Sequence, residues 1–262
     1  MSGLLTRLGI PRLWGEDPER LWVAMRYSVG PIVRVLTPSV CYGLERIPPE
    51  GGAVLAANHL SAIDHPLLGQ HFPRPIYFLS KKELLDLPLI GEALEWTGTF
   101  SVRRGEADRE ALRRGRELVR AGKVVGVHLE GTRQRLGHPG VFKGGGLVIA
   151  LAEGAPVIAA GIESFGWSLR NRRVCVVVWG APIELRDLPR GRAGVDEALA
   201  LVGPEIVRLW RQACEAVAAG LPPVLPDGAR RAGPIPPGGT TLRPAPGRRA
   251  AARSAPARRT AR

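Results

Sequence analysis

Aromatic side chains make up only 5% of the 262 residues, so a core here must be built from Val, Leu, Ile and Ala. Cysteine is scarcer still. Cys41, Cys175 and Cys214 stand singly, without metal-ligand spacing, which excludes a disulfide framework and suits a reducing compartment. No run approaches the ~18 apolar residues of a membrane span; the best stretch, 21–36, is broken by Arg26, Gly30, Pro31 and Arg34. The first residues lack the long apolar core and cleavage site of a secretory leader, so a cytoplasmic chain is expected. Acidic residues are also in deficit, 24 against 37 basic, for a net charge of +13. That excess is uneven: residues 227–262 hold nine Arg, no Lys and one Asp, or +8, leaving +5 for all that precedes. The body shows no aromatic–basic interleaving and no nucleic-acid motif, so no nucleic-acid partner is expected. A mildly basic body suits phosphate-bearing ligands or an anionic bilayer.

What is present alternates between two periods. Short apolar runs at 40–44, 53–57, 76–79, 99–102, 124–129, 157–162 and 174–179 read as strands. Between them, helical patterns cover 66–71, 81–85, 90–96, 106–121, 146–153 and 196–219, the last with an expected break at Gly203-Pro204. The alternation predicts an α/β fold: a single mixed, largely parallel sheet flanked by helices. In front of it, 18–36 predicts an amphipathic helix, with Leu21, Trp22, Met25, Val29, Ile32, Val33 and Leu36 separated by arginines. Such a helix either lies on a bilayer surface or packs on the core with a kink at Pro31, and both readings stand. Three regions follow: an N-terminal segment 1–39, a main domain 40–221 and a Pro/Arg/Ala-rich tail 222–262. The tail has too little to bury to offset its ordering entropy and is expected to be disordered.

The chemistry concentrates at Asn58-His59-Leu60-Ser61-Ala62-Ile63-Asp64, just after the apolar run 53–57. A buried strand ending on a polar turn is where an α/β protein places its reactive groups. An imidazole titrates near neutral pH, and a carboxylate on one ring nitrogen leaves the other free to take a proton. Asn58 is read as holding the turn and His65 as scaffold. A metal site from His59, Asp64 and His65 is set aside, because neither helical His pairs at i, i+4 nor Cys partners occur. His71, His128 and His138 have no visible partner and read as structural or exposed.

Four blocks in order now carry a resemblance: the His-x4-Asp of His59 and Asp64; Gly98-Thr99-Phe100-Ser101-Val102-Arg103-Arg104; Glu130-Gly131-Thr132-Arg133; and Ala155-Pro156-Val157-Ile158. Lys82-Glu83-Leu84 and Phe142-Lys143-Gly144 add smaller echoes. Over about residues 40–185 the chain resembles the PlsC-like glycerolipid acyltransferases, the family of 1-acyl-glycerol-3-phosphate acyltransferase. The resemblance implies a glycerol-phosphate acyltransferase-like fold with His59 as general base and Asp64 as its orienting partner. It implies transfer of a fatty acyl chain from acyl-CoA or acyl carrier protein to lysophosphatidic acid, giving phosphatidic acid on the inner face of the cell membrane. No cofactor or metal is implied; the acyl thioester is a co-substrate and acyl carrier protein a possible partner.

Arg104 and Arg133 are then the phosphate-binding candidates, since a guanidinium fork matches phosphate oxygens. An ion pair of Arg133 with Glu130 is the competing role. Glu130 is assigned to orienting an arginine or binding the acceptor hydroxyl, Gly131 to close backbone approach, Thr132 to hydroxyl donation and Lys143 to a further phosphate contact. The chain departs from the family at three places: His128-Leu129 replaces the usual Phe-Pro, Gln134 the usual Ser, and Ala159-Ala160 a segment that often holds Pro. These departures leave open another acceptor, such as glycerol 3-phosphate or a different lysolipid. A non-catalytic lipid-binding protein on the same fold is the remaining alternative.

Overall fold

The computed structural model describes residues 18–81, 98–102 and 108–233. Helices α1 (Pro18–Ser28) and α2 (Gly30–Leu36) lead in, followed by β1 (Ser39–Tyr42), β2 (Ala53–Ala57), α3 (Asp64–His71), β3 (Ile76–Lys81) and β4 (Phe100–Val102). Then come α4 (Arg109–Arg120), β5 (Val124–His128), α5 (Leu147–Glu153), β6 (Val157–Glu163), β7 (Cys175–Ile183), α6 (Arg192–Ala218) and β8 (Arg231–Ala232). The strands form one sheet in the order β4-β3-β5-β2-β6-β7-β1-β8. Pairing is parallel from β4 through β6 and between β7 and β1, and antiparallel at β6–β7 and β1–β8. The expected single, mixed and largely parallel sheet is therefore the one that forms.

Burial on both faces explains why the central strands read as unbroken apolar runs. In β2, Val54 and Ala56 face one core together with α4, α5 and α6, while Ala53, Leu55 and Ala57 face the other with α3. Helix α6 presents Ala198, Val202, Ile206, Leu209 and Ala213 to the first core. That stripe continues on both sides of Pro204, and the helix runs through the position where a break was expected. Packing of the flanking turns on the sheet outweighs the hydrogen bond that proline removes. Gly161 on β6 permits the close approach: a Cβ there would stand 2.1 Å from the Trp210 amide nitrogen.

The N-terminal pattern resolves into two helices, with Pro31 in the first turn of α2. One side of α1 packs inward. Arg26 is buried, and its guanidinium donates to the carbonyls of Phe72 and Gln70 at the end of α3, supplying partners for orphan helix-end acceptors. Tyr27 near the end of α1 and Val29 at the junction of the two helices are exposed, followed on α2 by Ile32 (59% exposed) and Val35 (68% exposed). Among the described residues, no helix is long and apolar enough to cross a membrane.

Two expectations need comment. Residues 222–233 do not behave as a segment with nothing to bury. Leu225 and Ala229 are buried, the Tyr42 hydroxyl donates to the Pro222 carbonyl at 2.8 Å, Asp227 pairs with Arg46 and Arg208, and β8 covers the edge of β1. The few apolar residues among the prolines and glycines suffice because they dock on an existing core. The helices expected over 81–85 and 90–96, and the tail from 234 onward, lie outside the described residues.

Candidate active site

Strands β2, β5 and β6 are parallel neighbours, so their C-terminal ends deliver three loops to one edge of the sheet. From β2 comes the turn to α3. Asn58 there acts as a backbone mimic: its amide donates to the Ile162 carbonyl at 2.9 Å and its side-chain oxygen accepts from the Ile162 N–H at 2.7 Å. This ties the turn to β6 and confirms the turn-holding role for Asn58.

His59 follows, 17% exposed, with Nδ1 at 2.8 Å from Oδ2 of a fully buried Asp64. The same Oδ2 accepts from the backbone N–H groups of Leu60 (2.7 Å) and Ser61 (2.9 Å), and Oδ1 accepts from the Ser164 hydroxyl at 2.6 Å. Asp64 begins α3, yet its acceptors turn back into the preceding loop rather than capping the helix. Four donors satisfy a carboxylate that burial alone would make very costly. Oδ2 can only accept, so Nδ1 carries the shared proton and Nε2 presents its lone pair. That is the tautomer a general base requires.

The loop after β5 wraps this pair. The His59 carbonyl accepts from the Gln134 N–H at 2.8 Å, and the His59 N–H donates to Glu130 Oε1 at 3.3 Å. Glu130 is 1% exposed, its Oε2 is buried without a partner among the described residues, and burial pushes its carboxyl up to about 7. The competing ion pair with Arg133 does not form among the described residues; Glu130 instead accepts from the backbone of the turn after β2. Gly131 takes φ +67°, the left-handed conformation that favours glycine. The Lys143 side chain lies beside it, and the Lys143 N–H donates to the Leu129 carbonyl. Thr132, Arg133 and Lys143 are exposed at the rim, free to meet a ligand's polar end. Arg103 and Arg104 lie outside the described residues.

His128 was not legible as a site residue. Its ring stacks on His59 at a centroid distance of 4.2 Å, and its Nδ1 donates to the Asn58 carbonyl at 2.9 Å. His65 stands edge-on to both, at 5.6 Å from His59 and 4.8 Å from His128, against Phe78. Burial holds His65 down to about 4 and His128 well below the ordinary imidazole value, in each case reinforced by the neighbouring imidazoles. One ligand atom from each of His59, His65 and His128 lies within 4.8 Å of the others. The sequence signals for this cluster were His65 directly after Asp64 and the replacement of the family's Phe by His128.

The sequence profile of the acyltransferase family matches residues 39–163, which contain the turn after β2, the loop after β5 and all of β6 up to the residue before Ser164. Over that stretch, just under half of its length, the chain is similar to the acyltransferase family. A Borreliella burgdorferi relative, a 1-acyl-sn-glycerol-3-phosphate acyltransferase, is 30% identical over 118 residues, 44% of this chain and 47% of its own. A Pseudomonas aeruginosa lyso-ornithine lipid O-acyltransferase is 40% identical over 79 residues, covering 27% of this chain and 30% of its own. The chain thus spans less than half the length of either. Among solved structures, the 1-acyl-sn-glycerophosphate acyltransferase PlsC of Thermotoga maritima shares the fold, with a TM-score of 0.59 at 22% identity over 78% of this chain and 86% of that one. In this chain the His-x4-Asp and Glu-Gly-Thr-Arg blocks lie on the two loops that meet at the end of β2.

Proposed function

We propose that this chain is an acyltransferase that moves a fatty acyl chain from a thioester donor to the free hydroxyl of lysophosphatidic acid, giving phosphatidic acid. The observation that carries the reading is the 2.8 Å contact of His59 with an Asp64 that is fully buried and held by three further donors. A lipid hydroxyl is a weak nucleophile at neutral pH. As it attacks the thioester carbonyl, His59 Nε2 takes its proton, and Asp64 stabilises the imidazolium that forms. Collapse of the tetrahedral intermediate breaks the carbon–sulfur bond, and the proton held on His59 passes to the departing thiolate. No covalent enzyme intermediate is required. Arg133 and Lys143 at the rim, with Arg104, supply the positive charge for the acceptor's phosphate. Glu130 positions the turn through the His59 N–H.

Acceptor and thioester meet at a membrane, and the exposed apolar stripe of Val29, just before α2, and Ile32 and Val35 on it, flanked by Arg34, supports docking on the cytoplasmic leaflet. The donor is acyl-CoA or acyl carrier protein. A second reading keeps the chemistry and changes the acceptor to another lysolipid; the lyso-ornithine relative and the departures at His128-Leu129 and Gln134 favour it. The test is thiol release from long-chain acyl-CoA with and without lysophosphatidic acid, in wild type and His59→Ala. Acceptor-dependent release that the variant abolishes is expected. Silence with this acceptor but release with another lysolipid selects the second reading. Silence across donors and acceptors overturns both and leaves a lipid-binding protein.

A further inference from the structure

The geometry points to a divalent transition-metal site of the zinc class formed by His59, His65 and His128, whose occupation takes His59 out of use as a base. This inhibitory consequence rests on the role proposed for His59; the binding itself does not.

Three observations converge on it. The first is the clustering: the three imidazoles come from the turn after β2, the first turn of α3 and the end of β5, and one ring nitrogen of each falls within 4.8 Å of the other two. The second is hydrogen-bond accounting. His59 commits Nδ1 to Asp64, and His128 commits Nδ1 to the Asn58 carbonyl, so both rings keep a bare lone pair on Nε2. His128 Nε2 is buried and has no partner among the described residues, which is uncommon for a buried polar atom. His65 makes ring contacts but no ring hydrogen bond among the described residues. The third is the way these rings are held. A metal-binding histidine normally gives its second nitrogen to a carboxylate or a backbone carbonyl, and His59 and His128 do both of these things.

The donor set selects the metal. Three neutral imidazoles suit zinc, copper or nickel, whereas magnesium and calcium require oxygen ligands. Zinc–nitrogen bonds of about 2.0–2.1 Å in tetrahedral geometry would place ligand atoms about 3.3 Å apart. The cluster must contract, and the stacked rings of His59 and His128, now 14° from parallel, must swing open to share one ion. That rearrangement makes binding weaker than at a preformed structural site. Occupation needs no change elsewhere in the fold, since Asp64 and Asn58 keep their bonds to the outer nitrogens. A bound ion sits on the one lone pair that the lipid hydroxyl's proton requires, so binding and acyl transfer are mutually exclusive.

The experiment uses the untagged full chain. Co2+ alone is titrated in and followed by visible absorption, then displaced by Zn2+, with calorimetry of Zn2+ giving the stoichiometry. Wild type, His128→Phe and His65→Asn are compared, and circular dichroism establishes that each variant is folded. His128→Phe restores the residue type usual in the family and keeps a ring in the stack. One metal per chain is expected, with the intense absorption of tetrahedral cobalt, and either variant should weaken binding by more than the ~10–100-fold that loss of an outer hydrogen bond costs a metal site. In thiol-release assays, the zinc concentration that halves the wild-type rate should match the binding midpoint and rise in parallel in His128→Phe. No cobalt spectrum and no zinc heat in wild type, or equal binding by wild type and both folded variants, overturns the site. Binding without inhibition, or with a faster rate, overturns the inhibitory role. If no acyl transfer is found under any condition, the spectroscopic titration still decides the metal site independently.

Discussion

Replacing Asp64 by Asn separates the charge of this residue from its shape. Oδ2 of Asp64 faces two backbone N–H groups, of Leu60 and Ser61, as well as His59 Nδ1. An asparagine amide nitrogen placed there would oppose two donors, so the Asn oxygen takes that position and the amide turns toward Ser164. The serine hydroxyl, now 2.6 Å from Oδ1, can rotate to accept. His59 therefore keeps its tautomer, in contrast to a triad in which the introduced amide faces the imidazole. What is lost is the charge beside the imidazolium. Opposite charges about 4 Å apart interact by ~4 kcal/mol at an effective dielectric of 20, which corresponds to about three decades in rate. Stability should fall by only about 1–3 kcal/mol as charge-assisted bonds become neutral ones. The assay is acceptor-dependent thiol release at saturating substrates, with thermal unfolding alongside and His59→Ala as the floor. A rate within ten-fold of wild type would show that Asp64 contributes no charge to the transition state. An unfolded variant would show that the four hydrogen bonds serve the fold first.

Glu130 gives a pH signature. Its folded-state value, near 7 instead of the ordinary 4.5, means that the folded chain holds this proton more tightly than the unfolded one. The resulting stability is complete below pH 4.5 and is lost as pH rises through 7, by up to about 3 kcal/mol at 1.36 kcal/mol per unit. Glu130→Gln should remove this dependence, so its thermal midpoint relative to wild type should rise between pH 5 and 8; a difference constant in pH would contradict the buried, unpaired carboxyl. For the bilayer-facing stripe, Ile32→Asp with Val35→Asp should release the chain from anionic vesicles in a sedimentation assay while leaving its unfolding midpoint close to wild type, because both side chains are exposed. Undiminished sedimentation would place the membrane contact elsewhere.

The amino-acid sequence by itself determined the fold class and the His59–Asp64 turn. Central parallel strands are buried on both faces, so 53–57 and 157–162 had to be continuous apolar runs, and His59 and Asp64 sit close enough in the chain for local structure to join them. The pairing of Asn58 with Ile162, the hydroxyl of Ser164 on Asp64 and the stack of His128 on His59 were decided only by the tertiary structure. Ser164 is 100 positions from Asp64 and His128 is 70 from Asn58; the register that sets Ala57 opposite His128 and Ala160 brings them together. Likewise, composition marks 222–233 as a segment unable to fold alone. It folds nonetheless, because the exposed edge of β1 and the core beneath it were already formed by residues far away in sequence. Local periodicity records which face of an element is buried, but which element it is buried against depends on strand order, and no local pattern contains that.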